Sequence, residues 1–158
     1  MMDRVVIVSN RVMLPKLEKK ESTGGLAVAL LEALKQNGGV WCGWSGRSVA
    51  ETPSDMNVTR ANQITYATMD LSFEDYDRFY NGYCNEALWP VLHYRLDMAK
   101  YQRVNFQYYQ NVNALFASRL QKLLKPEDLI WVHDYHFIPI AKKLRALRCT
   151  QKMGFFLH

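Results

Sequence analysis

Val5 to Ser9 is an unbroken apolar, β-branched run, the pattern of a strand buried on both faces in a parallel sheet. A polar, proline-containing loop follows from Asn10 to Thr23. Beyond Gly25, Leu26, Leu30, Ala33 and Leu34 recur at helical spacing until Gly38-Gly39 stops them. A second strand is predicted over Val40 to Trp44. "GWSGRSVAETPSD" reads as loop, and "NQITYATMDL" as another strand. Ser72 is a predicted N-cap with Glu74 and Asp75 in the first turn, so a helix starts near Phe73. It continues past Gly82 through "CNEALWPVLHY", where Pro90 forces a break or kink. Tyr101 to Lys125 is the clearest helix, its predicted inward stripe being Tyr108, Val112, Leu115, Phe116, Leu120 and Leu123. "DLIWVHD" is a buried strand, "FIPIAKKLRALR" a helix and "KMGFFLH" the beginning of a further strand.

Strands alternating with helices predict an α/β fold, a Rossmann-like parallel sheet flanked by helices. In such sheets ligands bind outside the carboxyl ends of the strands. Three predicted strand ends carry chemically capable groups: Arg11, His133-Asp134 and His158. Arg11 supplies a planar guanidinium whose fork matches a phosphate bidentately. Gly24-Gly25 at a helix start allows backbone N–H groups to approach an anion. Equally, Arg11 could pair with a loop acid such as Glu18 while the glycines simply make a turn. The glycines lack the Gly-x-Gly-x-x-Gly spacing of dinucleotide folds. His133, Asp134 and His136 match no established zinc spacing, so no metal is expected. Asp134 is better suited to accepting hydrogen bonds from sugar hydroxyls or stabilising developing positive charge. His133 and His136 are expected to pack behind it. Trp41, Trp44, Tyr80, Trp89 and Tyr94 are core candidates that would also suit the apolar face of a pyranose.

Charge and composition narrow the field. The net charge of +5 over 158 residues is spread along the chain, with no basic block of the kind that binds nucleic acid. No apolar segment is long enough to span a membrane. The cysteines, Cys42, Cys84 and Cys149, are few and scattered, which suits reduced thiols in a cytoplasmic protein. No Gly-x-Ser-x-Gly or His-Glu-x-x-His occurs to start a hydrolase or protease site.

The motifs "VVIVSNR", "GGLAVAL", "GVWCGWSG", "FYNGYCNEALWPVLHYR", "VNALFASRL", "DLIWVHDYHFIPIAKKLR" and "GFFLH", in this order, resemble the N-terminal part of the trehalose-6-phosphate synthase family of retaining glycosyltransferases. The resemblance runs from about Val5 to His158. It implies a GT-B architecture, two Rossmann-like domains facing across a cleft. It also implies glucose transfer from UDP-glucose to glucose-6-phosphate, with no metal or other cofactor. On this resemblance Arg11 grips the acceptor phosphate, with Trp44 and Tyr80 shaping that pocket and Trp89 lining the acceptor side. Asp134 binds acceptor hydroxyls at the reacting centre. Gly25, with Gly24, turns backbone toward the donor diphosphate, and His158 orients the donor glucose. Lys16, Lys19 and Lys20 lie in a loop that would close over the cleft.

Members of that family are several times longer. The expectation is therefore that residues 1–158 form one incomplete acceptor-binding domain of a GT-B enzyme, lacking the donor domain and inactive alone. The full-length parent is a candidate homo-oligomer. Two alternatives keep the fold and change the role: a glucosylglycerol-phosphate synthase-like transferase, or a non-catalytic sugar-phosphate-binding subunit. A dinucleotide-dependent dehydrogenase is disfavoured by the glycine spacing.

Overall fold

The computed structural model describes residues 3–15 and 25–158. Glu18, Gly24 and the three loop lysines lie outside the described residues. Six strands form one sheet in the order β3-β4-β2-β1-β5-β6. The strands are β1 (Val5–Arg11), β2 (Gly39–Val49), β3 (Asn57–Ala61), β4 (Ile64–Ser72), β5 (Leu129–His133) and β6 (Lys152–Phe156). All pairings are parallel except that of β3 with β4.

β1 is central because its residues are apolar toward both faces. Ile7 joins α1 (Gly25–Asn37) through Leu30, Leu31 and Leu34, while Val6 and Val8 face the opposite layer. That layer is a continuous helical segment, α2 (Phe73–Asp75), a π-helix (Tyr76–Leu88) and α3 (Trp89–Leu92), followed by α4 (Arg103–Gln121) and α5 (Ile140–Ala146). The chain leaves β1 in one direction to build β2 and β4. It then crosses back to build β5 and β6 on the other side. The strand order therefore reverses between β1 and β5, the place where an open α/β sheet leaves a crevice at its carboxyl edge.

Several predicted elements change on this frame. β2 runs to Val49 rather than ending at Trp44, because "SGRSV" finds β4 alongside and a bulge absorbs the irregular residues between Trp44 and Ser48. Residues between the predicted loop and the predicted strand, left unassigned from sequence, form β3, which returns onto β4. Asn62 and Gln63, with φ of 49° and 66°, make its two-residue hairpin turn, so β4 starts at Ile64. Ser72 caps as expected, its hydroxyl accepting from the Asp75 amide at 2.9 Å. The helix it starts widens, the Trp89 amide donating to the Cys84 carbonyl five residues back. Pro90 does not interrupt this path. It falls in the first turn of α3, where a missing N–H is tolerated.

The inward face of α4 carries Val112, Phe116 and Leu120 as expected, with Leu115 and Leu123 partly buried against the core. Tyr109, not Tyr108, is buried, together with Asn105, Asn113 and Arg119. α5 begins at Ile140 behind a 3-10 turn over Tyr135–Phe137, and β6 ends at Phe156. Among the described residues, no helix is long and apolar enough to cross a membrane.

Candidate functional site

Between β1 and β5 at the carboxyl edge lies a crevice of about 200 Å³. Its walls include Ser9, Asn10 and Arg11 from the end of β1, and His133, Asp134 and His136 from the end of β5. Ala27 of α1 also lines it, so the first turn of that helix faces the opening. Backbone N–H groups of a helix start and the helix dipole both favour an anion there. Gly25 opens α1 on the exposed surface, and no described atom lies within 4 Å of where a Cβ would stand.

Arg11 is exposed at the rim, directly opposite Trp44 in register. Its guanidinium carbon lies 6.0 Å from the centroid of the Trp44 ring. The space it occupies depends on Gly46, whose φ is 87°. A Cβ at that position would stand 2.9 to 3.1 Å from three guanidinium atoms. Beside Arg11 the π-helix brings two tyrosines onto Trp44: Tyr76 at 4.7 Å and Tyr80 at 6.3 Å between centroids, the tyrosines stacking on each other at 5.2 Å. Burial and the neighbouring Tyr80 raise the Tyr76 phenol, while Arg11 pulls it down. Tyr80 also stacks on His136 at 5.7 Å, so this aromatic wall reaches from the guanidinium toward the β5 loop.

Asp134 follows β5 with φ 73° and ψ 170°, a backbone conformation that is essentially glycine-only and strained for an aspartate. Its carboxylate accepts from the Tyr135 amide at 3.0 Å, and its own amide donates to the Phe156 carbonyl at 2.8 Å. The flanking imidazoles are both buried. Burial pushes His136 down to about 4, and burial together with the nearby His158 pushes His133 down to about 4. Both are neutral at neutral pH. His158 lies just past β6, its Nε2 2.9 Å from His133 Nδ1. Among the described residues no group of three or more His, Cys, Asp or Glu is arranged to hold a metal ion.

The structure thus gathers Arg11, Trp44, Tyr80 and Asp134 around the carboxyl edge, with Gly25 at the mouth of α1 and His158 behind His133. Trp89 is not among the residues lining the crevice. It stacks on His93 at 4.1 Å and lines a separate hollow with Asn85, Glu86, Met98 and Lys100. Tyr76 is a wall residue the sequence reading missed. Its signal was the four-residue spacing from Tyr80, which places both on one side of a helix.

An open doubly wound α/β domain with an arginine and a carboxylate lining one crevice at the strand-order reversal is the architecture of a small-molecule-binding domain. The sequence profile of glycosyltransferase family 20 matches residues 3–158, and the chain belongs to that family. A trehalose-6-phosphate synthase from Cronobacter sakazakii is 48% identical over 157 residues, covering 99% of this chain and 33% of the relative. An α,α-trehalose-phosphate synthase (UDP-forming) from Burkholderia xenovorans, solved in complex with glucose-6-phosphate, superposes with a TM-score of 0.90 at 46% identity. That match covers 98% of this chain and 34% of the solved one. A trehalose-6-phosphate structure from E. coli bound with UDP-2-fluoro glucose gives 0.88 at 44% identity, covering 98% of this chain and 33% of the other. The chain is homologous to UDP-forming trehalose-6-phosphate synthases and spans about a third of the length of the relatives it matches.

Proposed function

We propose that this chain is the acceptor-binding domain of an enzyme that moves glucose from UDP-glucose to glucose-6-phosphate with retention, giving trehalose-6-phosphate. The observation that carries the reading is that Arg11 and Asp134 line one crevice at the strand-order reversal. Arg11 takes the acceptor phosphate as a bidentate partner, seated against Trp44 with Tyr76 and Tyr80 alongside. Asp134 accepts hydrogen bonds from the sugar hydroxyls, the acceptor lying between the two charges. At the mouth of α1, Gly25 turns backbone amides toward the donor diphosphate, whose charge the helix N-terminus favours without a metal. His158 contacts the donor glucose, with its ring set by His133. In this reading transfer needs both substrates held in one geometry, so residues 1–158 alone bind the acceptor without turning it over. The three buried thiols suit a reducing cytoplasm.

The test is an NMR titration of the chain with glucose-6-phosphate. Saturable shifts are expected at Arg11, Trp44, Tyr80 and Asp134. In Arg11→Ala the affinity should fall on the order of 100-fold, as loss of a bidentate charged pair requires. Wild-type spectra indifferent to the sugar phosphate would overturn the reading.

A further inference from the structure

The strained backbone at Asp134 needs something to hold it, and the holding groups come from α4. Tyr109 is buried, its ring packed between Phe79 and Tyr83 of the π-helix at 5.9 and 4.6 Å. Its hydroxyl donates to the Tyr135 carbonyl at 2.7 Å. One turn further along the same face, the fully buried Asn113 donates through Nδ2 to the His136 carbonyl and to the Tyr109 carbonyl, each at 3.0 Å. The 3-10 turn over Tyr135–Phe137 is too short to satisfy these carbonyls itself, and buried carbonyls require partners. On the other side the Asp134 amide is tied to the Phe156 carbonyl on β6. The peptide before Asp134 is therefore fixed from β6, and the two carbonyls that follow Asp134, those of Tyr135 and His136, are fixed from α4. A residue in a glycine-only region persists only when its surroundings over-determine it.

We propose that Tyr109 and Asn113 are positioning residues: they hold the 135–136 carbonyls so that Asp134 stays at positive φ with its carboxylate presented to the crevice. Neither side chain lines the crevice, and both act through the turn that follows Asp134. The inference rests on the proposed acceptor site, to which it adds the device that orients the carboxylate. The buried Tyr109 hydroxyl and Asn113 amide on the inner face of α4 are thereby accounted for, because α4 serves as a template for the loop as well as a core helix.

Tyr109→Phe removes one hydroxyl and keeps the packed ring, and Asn113→Leu keeps comparable volume, so both variants test the clamp with little change of shape. Two readouts decide. The one-bond Cα–Hα coupling of Asp134, which reports the sign of φ, needs no ligand. It should leave its positive-φ value in both variants. Affinity for glucose-6-phosphate should fall about tenfold in each variant, while affinity for inorganic phosphate, held by Arg11, stays within about twofold. A merely destabilised protein would weaken both ligands together. An Asp134 coupling unchanged in both folded variants would overturn the clamp, whatever the affinities do. A wild-type chain that binds neither ligand would instead remove the acceptor assignment, and the coupling would still decide the clamp.

Discussion

Two residues beside the crevice hold backbone at positive φ, and they do so by opposite means. Gly46, at 87°, meets no steric penalty, and the absence of its side chain is what leaves room for the Arg11 guanidinium. Asp134, at 73°, keeps a side chain where glycine would be at ease and is held there by hydrogen bonds on both sides. The Arg11 end of the crevice is thus made by leaving atoms out. The Asp134 end is made by forcing a carboxylate into place.

This contrast can be broken in three ways. The largest effect should come from acid. His136 is buried and held to about 4 against an ordinary 6.5, so between these values the unfolded chain takes up a proton that the folded one refuses. The corresponding stability is fully present above pH 6.5 and is lost as pH falls toward 4, on the order of 3 kcal/mol. His133 titrates in the same direction. Urea midpoints should therefore fall over that window, and the His136→Phe variant should show a shallower fall. Equal slopes in the two proteins would contradict a neutral buried imidazole beside Asp134.

Next in size is Gly46→Val. A β-branched residue at positive φ, with its Cβ against the guanidinium, should cost about 2 kcal/mol. Phosphate affinity should fall about tenfold as Arg11 is pushed aside. Thermal melts and phosphate titrations measure the two effects, and unaltered phosphate affinity would mean that Arg11 does not depend on this glycine. The smallest effect has the opposite sign. Asp134→Gly relieves strain and loses only the short contact to the Tyr135 amide, so stability should rise by about 1 kcal/mol while glucose-6-phosphate affinity drops. A lower urea midpoint in this variant would show that the aspartate is not strained.

The carboxyl edge was legible because apolar runs stop near Ser9 and at His133, so that strand direction places Arg11 and Asp134 on one edge, although β1 runs on through Arg11. β3 was not legible, since its turn is Asn62-Gln63 without a glycine and its residues are mostly exposed with no buried apolar alternation. The overrun of β2 was hidden by one glycine and two serines, whose poor strand propensity is overridden by pairing with β4. The α4 stripe was legible at Val112, Phe116 and Leu120, but Asn113 on the same buried face was not, because its partners are backbone groups at Tyr109 and His136. A polar residue satisfied from a distant segment looks, in sequence, like a surface residue. Arg11 and Asp134 could be read directly, whereas the support beneath Asp134 could be read only from coordinates.

The π-helix carries a further consequence. Each of its turns closes one residue later than an α-turn, so the segment from Tyr76 to Leu88 stores spare chain between two fixed attachments. Loss of a single amino acid there need not tear either anchor loose, because one wide coil can rewind to ordinary pitch. What such a deletion would alter is phase: Tyr80 would rotate relative to Trp44 while the flanking helices stayed seated. Evolution can thus retune the aromatic wall through chain length in this stretch, without touching the residues that bear charge.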